Sequence, residues 1–307
     1  MTRRLLVTVP GETLRRAIGE PPDGADIELW DMSTPAPADR IDLVVPPYMG
    51  AAERLSALEG VSARLVQSQS IGYDDVPDAL PAGHVFANAA SVHETSTAEL
   101  ALALVLAAQR GIPGFVRAAA EGRWAPARHA SLADRRVLLL GYGGVGRAIE
   151  ARLAPFEVEV VRVATRARED DRGRIHGIDE LSALLPTADI VIVGVPLNDA
   201  TTGFVDAAFL AALPDGALVV NVARGKVADT DAILAEAASG RLRFALDVTD
   251  PEPLPQGHPL FALPNVLISP HVGGASTAMM PRMARLVRTQ IERMLRGDEP
   301  INVVLRT

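Results

Sequence analysis

The chain contains no cysteine. Disulfides, thiolate metal sites and cysteine nucleophiles are therefore excluded. Lysine occurs once, at Lys226, and arginine supplies the other permanent cations. This is read as the composition of a GC-rich genome and carries no function. No apolar run approaches the roughly 20 residues that a bilayer-spanning helix needs. The longest, residues 100–108, reads as a buried helix. Residues 1–10 hold two arginines and an apolar run that breaks at Pro10-Gly11, too short for the core of a signal peptide. A cytoplasmic protein is expected. The formal net charge is -8. That argues against a nucleic-acid footprint, which would need a basic face, and against an anionic membrane surface as partner.

What is present is a 307-residue chain, 48% hydrophobic, long enough for two domains with a large core. Short apolar runs at 5–9, 27–30, 43–45 and 64–67 read as strands, and 51–58 reads as a helix stopped by Gly60. Strong helix formers fill 97–110 and end at Gly111 and Pro113, and the polar, aperiodic stretch 124–134 is a connection. Further strands are expected at 136–140, 158–163, 190–193, 218–222, 244–247 and 266–269, with helical segments between them. This rhythm is that of a doubly wound parallel α/β sheet. An amphipathic helix at 277–296, closed by Gly297, follows the last strand, and the tail 301–304 is placed to return to the first domain. No internal repeat or low-complexity segment is found.

Gly141-Tyr142-Gly143-Gly144-Val145-Gly146 fits G-x-G-x-x-G. It directly follows an apolar strand and opens a helix at 147–153, the context that makes the pattern a dinucleotide-binding loop. The glycines permit a tight turn, close backbone approach to a pyrophosphate and close helix–strand packing. The helix N-terminus adds N–H donors and the positive end of its dipole. An acid about 20 residues past the first glycine would hold the ribose hydroxyls of NAD. Here the chain reads Arg162-Val163-Ala164-Thr165-Arg166, with Arg168 beyond and Glu169 as the first acid, too far on. The cations Arg166 and Arg168 and the hydroxyl of Thr165 suit a 2′-phosphate, so NADP is expected in preference to NAD.

Three segments place reactive side chains just past strand ends, where open α/β sheets bind ligands. They are Asn221-Val222-Ala223-Arg224-Gly225, Asp247-Val248-Thr249-Asp250-Pro251-Glu252-Pro253-Leu254 and Ser269-Pro270-His271-Val272-Gly273-Gly274. Reducing a 2-oxo acid requires hydride at the carbonyl carbon, a proton for the oxygen and a cation for the developing charge. Arginine stays protonated and binds a carboxylate in bidentate fashion. Histidine moves a proton near neutral pH, and a neighbouring carboxylate orients it and favours imidazolium. By spacing alone each residue has a structural reading too, and five other histidines compete. His93-Glu94 lacks the second histidine of a zinc motif because position 97 is threonine, and His84, His129, His176 and His258 have no partner pattern. No metal site is expected.

Taken together, Gly-Tyr-Gly-Gly-Val-Gly, Asn-Val-Ala-Arg-Gly, Leu-Asp-Val with Glu252-Pro253, and Pro270-His271 resemble the D-isomer-specific 2-hydroxyacid dehydrogenase family. The segments Ser70-Ile71-Gly72-Tyr73-Asp74 and Ser96-Thr97-Ala98-Glu99-Leu100 extend the resemblance over most of the chain. It implies a Rossmann-type coenzyme domain at 99–280 and a smaller flavodoxin-like α/β substrate domain from 1–98 and 281–307. It implies Arg224, Glu252 and His271 as the catalytic set. Ser70, Ile71 and Gly72 would offer N–H groups to the substrate carboxylate, with Tyr48 nearby. Asp247 would face the nicotinamide amide, and Val195, Pro196, Thr201, Val222, Ala223 and Gly273 would line the rest of the NADP or NAD site. The substrate would be a small 2-oxo or D-2-hydroxy acid such as glyoxylate or hydroxypyruvate, and the assembly a homodimer.

Two departures leave the acid's side chain open. Lys226 stands where a small residue often follows Arg-Gly. Pro46-Pro47, before Tyr48 and Met49, stands where some members carry polar substrate-binding residues. Met49, Met279 and Met280 could line an apolar pocket, but core packing is the preferred reading. Two other functions fit less well. A non-catalytic NAD(P) sensor does not need a proton donor. An S-adenosylmethionine methyltransferase would keep an acid for ribose hydroxyls where Arg166 and Arg168 stand.

Overall fold

The computed structural model describes residues 3–307. The chain divides into two units, Met1–His93 with Ser276–Thr307, and Glu94–Ala275. Among the described residues the strands are β1 (Leu5–Val9), β2 (Ala25–Leu29), β3 (Arg40–Val44), β4 (Ser62–Gln67), β5 (Val85–Ala87), β6 (Arg136–Leu140), β7 (Glu159–Val163), β8 (Arg168–Asp170), β9 (Gly173–Ile175), β10 (Ile190–Val193), β11 (Leu218–Asn221), β12 (Arg243–Leu246), β13 (Val266–Ile268) and β14 (Val303–Arg306). The α-helices are α1 (Glu12–Ile18), α2 (Ala51–Arg54), α3 (Glu94–Gln109), α4 (Ile112–Ala120), α5 (Gly144–Leu153), α6 (Leu181–Leu184), α7 (Ala207–Ala211), α8 (Thr230–Ser239) and α9 (Met279–Arg296).

The terminal unit has the sheet order β14-β5-β4-β3-β1-β2. Its first five strands are parallel, and β14 returns antiparallel to β5. The order 2-1-3-4-5 is the flavodoxin-like one. α9 closes one face. Its buried residues Met283, Leu286, Val287, Gln290, Ile291 and Met294 recur at helical spacing and join a core with Val7, Val9, Leu14 and Ile18. The one polar member, Gln290, is satisfied: its amide donates to Gln67 Oε1 and to the carbonyl of Ile301. This ties the tail to the sheet. Met279 belongs to the same core and Met280 packs against it, whereas Met49 is 80% exposed.

The central unit is an all-parallel sheet of order β13-β12-β11-β10-β6-β7. Its middle strands bury both faces and therefore read as continuous Val, Ile and Leu. β6 lies between β7 and β10, so successive crossovers run in opposite directions from it, and the switch point lies between β6 and β10. A small hairpin, β8–β9, follows β7 and rejoins it through a parallel bridge, Val163 to His176. The fold class is thus the expected Rossmann-type sheet with a second, flavodoxin-like unit.

The expected boundaries at 98/99 and 280/281 lie inside α3 and α9. The units instead separate at 93/94 and 275/276, ahead of both helices. The expected helix at 51–58 is one α-turn followed by a 3₁₀ turn, Leu55–Leu58. β5, β8 and β9 were not anticipated; at three residues each, they are too short to show a period of two. Among the described residues no single helix is long and apolar enough to cross a membrane.

Candidate active site

The glycine loop connects the switch-point strand β6 to α5. Gly141 has φ +98°, a left-handed conformation suited to glycine. A Cβ there would lie 2.7 Å from the Gly194 carbonyl after β10, and one at Gly146 would lie 2.2 Å from the Gly141 oxygen. These glycines let the helix start pack on the strand ends. At Gly143, by contrast, a Cβ would meet nothing within 4 Å. The N–H groups of Gly144, Val145 and Gly146 make no hydrogen bond among the described residues. Unpaired donors at the N-terminus of a ten-residue helix, beside open space, fit a dinucleotide pyrophosphate.

Thr165 and Arg166 are exposed just past β7, and the Arg166 guanidinium has no partner among the described residues. Arg168 donates to the carbonyl of Tyr142 at 3.3 Å. Val195 and Pro196 follow β10. The Thr201 hydroxyl donates to the Pro196 carbonyl and accepts from Asn198 N–H, so it shapes that loop. Val222 and Ala223 are buried past β11.

Arg224, Glu252 and His271 follow β11, β12 and β13, three adjacent strands. Asn221, at the end of β11, accepts from Ala223 N–H and donates to the Arg224 carbonyl. The turn carrying Arg224 is thereby fixed, and the guanidinium donates to the Ala223 carbonyl at 2.9 Å. A Cβ at Gly225 would stand 1.8 Å from the Thr249 oxygen, so only glycine lets the Arg224 turn lie against the segment leading to Glu252.

His271 has φ +50°, a left-handed conformation uncommon outside glycine. Asp247 holds it there. The Asp247 carbonyl accepts His271 N–H at 2.7 Å. Its buried carboxylate accepts from Ser269 Oγ at 2.6 Å and from the N–H groups of Val272 and Gly273 at 2.9 Å each. Those bonds fill three of about four lone-pair sites, leaving one for a further donor. A Cβ at Gly273 would lie 3.0 Å from this carboxylate. The His271 ring points Nδ1 at Glu252 Oε1 in a hydrogen bond, with both side chains more than two-fifths exposed. Nδ1–H therefore serves Glu252, and Nε2 is the nitrogen that can exchange a proton with a substrate oxygen.

The other histidines have structural partners. His84 bonds the carbonyls of Pro81 and Val61. His93 bonds the Gln69 carbonyl and stacks on Tyr48. His129 meets the edge of Phe115, His176 pairs with Glu180, and His258 accepts the Leu260 N–H. In the terminal unit, the Ser70 N–H is taken by Ser68 Oγ at 2.9 Å. The N–H groups of Ile71 and Gly72 make no hydrogen bond among the described residues. No cluster of metal-ligating side chains occurs among the described residues.

Sequence reasoning did not single out the positioning roles of Asn221, Ser269 and Gly225. An apolar strand ending in Asn or Ser before a turn is their only signal.

A family model described as "D-isomer specific 2-hydroxyacid dehydrogenase, NAD binding domain" matches residues 102–273. The chain is 28% identical to human glyoxylate reductase/hydroxypyruvate reductase, over 89% of each chain. It is 32% identical to glyoxylate reductase of Korarchaeum cryptofilum, over 78% of this chain and 76% of that one. Among solved structures, a D-isomer specific 2-hydroxyacid dehydrogenase from Xanthobacter autotrophicus, in complex with NADPH and MES, superposes with a TM-score of 0.81. It is 29% identical and covers 99% of this chain and 98% of that one. With a coenzyme loop and an Arg–Glu–His set on adjacent strand ends, the chain belongs to the D-isomer specific 2-hydroxyacid dehydrogenase family and is an NAD(P)-dependent oxidoreductase.

Proposed function

We propose that the enzyme reduces a small 2-oxo acid, glyoxylate or hydroxypyruvate being the first candidates, to the D-2-hydroxy acid with NADPH preferred over NADH. The observation that carries the reading is His271 Nδ1 bonded to Glu252, one strand away from Arg224. The names of the relatives support the substrate class. Arg166, without a protein partner where an acid would hold the NAD ribose, supports NADPH.

In this reading the central unit is the coenzyme domain and the terminal unit the substrate domain. When bound, the dinucleotide supplies the hydride. The chain's residues do the rest. Gly141 to Gly146 hold the pyrophosphate, Thr165 and Arg166 the 2′-phosphate, and Val195, Pro196, Thr201, Val222, Ala223 and Gly273 line the cleft. Asp247 offers its remaining lone pair to the nicotinamide amide. Arg224 binds the substrate carboxylate and stabilises charge on the carbonyl oxygen. His271 Nε2 gives that oxygen its proton, and Glu252 carries the compensating charge. In the terminal unit, Ile71 and Gly72, whose N–H groups make no hydrogen bond among the described residues, are the candidates for contact with a carboxylate, Ser70 shapes their turn, and Tyr48 stacks on His93.

The protein is proposed to be a cytoplasmic homodimer. Ile112 and Val116 on α4 and Trp124 just beyond it, the last 96% exposed, form an apolar surface suited to a second copy. Initial rates with a panel of 2-oxo acids, each with NADPH and NADH, test the activity. Absence of turnover with every acid would overturn it.

A further inference from the structure

Beneath the glycine loop lies a buried ion network that neither the sequence motifs nor the reaction accounts for. Arg162, on β7, is 5% exposed. Its Nη1 donates to Asp170 Oδ1 at 2.9 Å, its Nη2 to the Arg172 carbonyl at 2.7 Å, and its Nε lies 3.7 Å from Glu150 Oε1. Asp170 and Arg172 form the turn of the β8–β9 hairpin. Glu150, on α5, accepts from Tyr142 OH and from Arg172 Nη1, the latter at 2.8 Å. Tyr142 is the second residue of the glycine loop, and the Arg162 guanidinium lies over its ring, 5.3 Å from the centroid.

The network therefore joins three elements: the glycine loop through Tyr142, the coenzyme helix through Glu150, and the hairpin through Arg162. Burial raises the Tyr142 hydroxyl above its usual range, and its bond to Glu150 adds to that. Burial works against the Arg162 charge, but Tyr142, Glu150 and Asp170 outweigh it and hold the group firmly cationic. A buried arginine that loses one anion leaves a costly unpaired charge. The hairpin turn is accordingly locked rather than loose. Gly173, φ +100°, closes the turn, and a Cβ there would lie 3.6 Å from Arg162 Nη2.

What the lock presents to solvent is the segment between β7 and the turn, which carries Arg166 and Arg168. Arg168 is bridged to the Tyr142 carbonyl and, at 3.5 Å, to that of Arg166. We propose that Arg162 is a positioning residue for coenzyme choice: with Asp170 and Glu150 it sets the β8–β9 hairpin so that Arg166 and Arg168 flank the 2′-phosphate of NADPH. The inference rests on the NADPH reading above. Ligand-facing side chains lose precision when the buried contacts that hold their segment are removed.

The test uses the full-length enzyme, with apparent constants for NADPH and NADH at saturating glyoxylate or whichever acid turns over best. Asp170→Ala frees the hairpin at its partly exposed end. Arg162→Met removes the buried cation, and Arg162→Lys keeps a charge that cannot span both anions. Asp170→Ala is expected to raise KM for NADPH about tenfold while leaving both kcat values and KM for NADH within about twofold; Arg162→Met, which also withdraws the guanidinium from Tyr142 of the glycine loop, should raise both KM values, that for NADPH the more. Arg162→Lys should fall between them and the parent. If Arg162→Met does not fold, Asp170→Ala alone decides. A parent that prefers NADPH, with the same NADPH/NADH ratio in a folded Asp170→Ala, overturns the positioning role and leaves the coenzyme reading intact. A parent without NADPH preference overturns both.

Discussion

Asp247 grips the His271 turn twice, its carbonyl accepting the His271 N–H at 2.7 Å and its carboxylate accepting the two N–H groups that follow. The strained φ at His271 is held by this pair of contacts. Asp247→Asn keeps the size but replaces one acceptor oxygen with an NH2 group facing N–H donors. A stability loss of about 1.5–3 kcal/mol is expected, the worth of a charged hydrogen bond. Reduction should slow in parallel as His271 loses its position. Urea unfolding beside steady-state kinetics checks both, and parent-like values in both would refute the grip.

Gly225 has a different constraint. Its φ is not in the left-handed region, so the glycine is required by space alone: a Cβ would collide with the Thr249 oxygen and lie 2.8 Å from Asp250 N. Gly225→Ala must push the Arg224 turn from the Glu252 segment. Overpacking of this kind costs about 1–3 kcal/mol. KM for the 2-oxo acid should rise by more than the coenzyme dissociation constant, because the glycine loop is on other strands and only Val222 and Ala223 of the proposed coenzyme site precede the displaced turn. Unchanged KM would show that the two turns can separate without moving Arg224.

Coenzyme choice is open to direct reversal. Ala164→Asp with Arg166→Ala restores an acid for ribose hydroxyls and removes the cation for a 2′-phosphate. The NADPH/NADH ratio of kcat/KM is expected to fall by about 10–100-fold, as for one or two charge-assisted hydrogen bonds. Equal or better turnover with NADH in the parent would sink the preference before any variant is made.

Away from the cleft, Glu180 accepts from the Gly177 N–H, from His176 Nδ1 and from Arg174. These partners, the Gly177 N–H foremost, hold its carboxyl down at about 2, from an ordinary 4.5. A carboxyl whose folded value is depressed stabilises the fold above its unfolded value, and that contribution is lost as pH falls toward the folded value. The turn after β9 should therefore loosen between about pH 4.5 and about 2. The protection of the Gly177 amide, its exchange relative to the intrinsic rate at each pH, should fall through that range in the parent and be low throughout in Glu180→Gln. Matching protection in both proteins would assign the turn's stability to other contacts.

Where a local rule and the tertiary structure agree, the residues announce their role. Strands β6, β10 and β11 are buried on both faces and, apart from Arg136 and Asn221 at two of their ends, consist of Val, Ile and Leu, so an apolar run of strand length identifies them. Arg224, Glu252 and His271 each follow such a run. The Glu252–His271 contact, however, depends on strand order, and the crossovers that bring β13, β12 and β11 side by side leave no mark at any one position. Asp247 could be placed from sequence, yet its three donors come from residues 269–273, reachable only after folding. Arg162 was read within a coenzyme-facing segment, but it points beneath the loop to Asp170 and Glu150. Strand alternation puts it there, and two consecutive arginine-bearing stretches hid the difference.

The proton inventory gives the most direct test of the Arg–Glu–His assignment. In reduction His271 must start as imidazolium, since Nε2 gives its proton to the oxygen that becomes the hydroxyl. His271→Ala should slow reduction by a factor of about 100 or more with NADPH affinity nearly intact. Arg224→Ala should damage substrate binding and turnover together. Glu252→Gln retains a hydrogen-bond partner for Nδ1 but removes the negative charge beside the imidazolium, so kcat for reduction should fall by a factor of about 10 or more with coenzyme affinity nearly intact. The double variant Glu252→Gln/His271→Ala decides the matter. If the two residues serve one proton, it is no slower than His271→Ala alone; losses that multiply would mean that Glu252 does not act through His271.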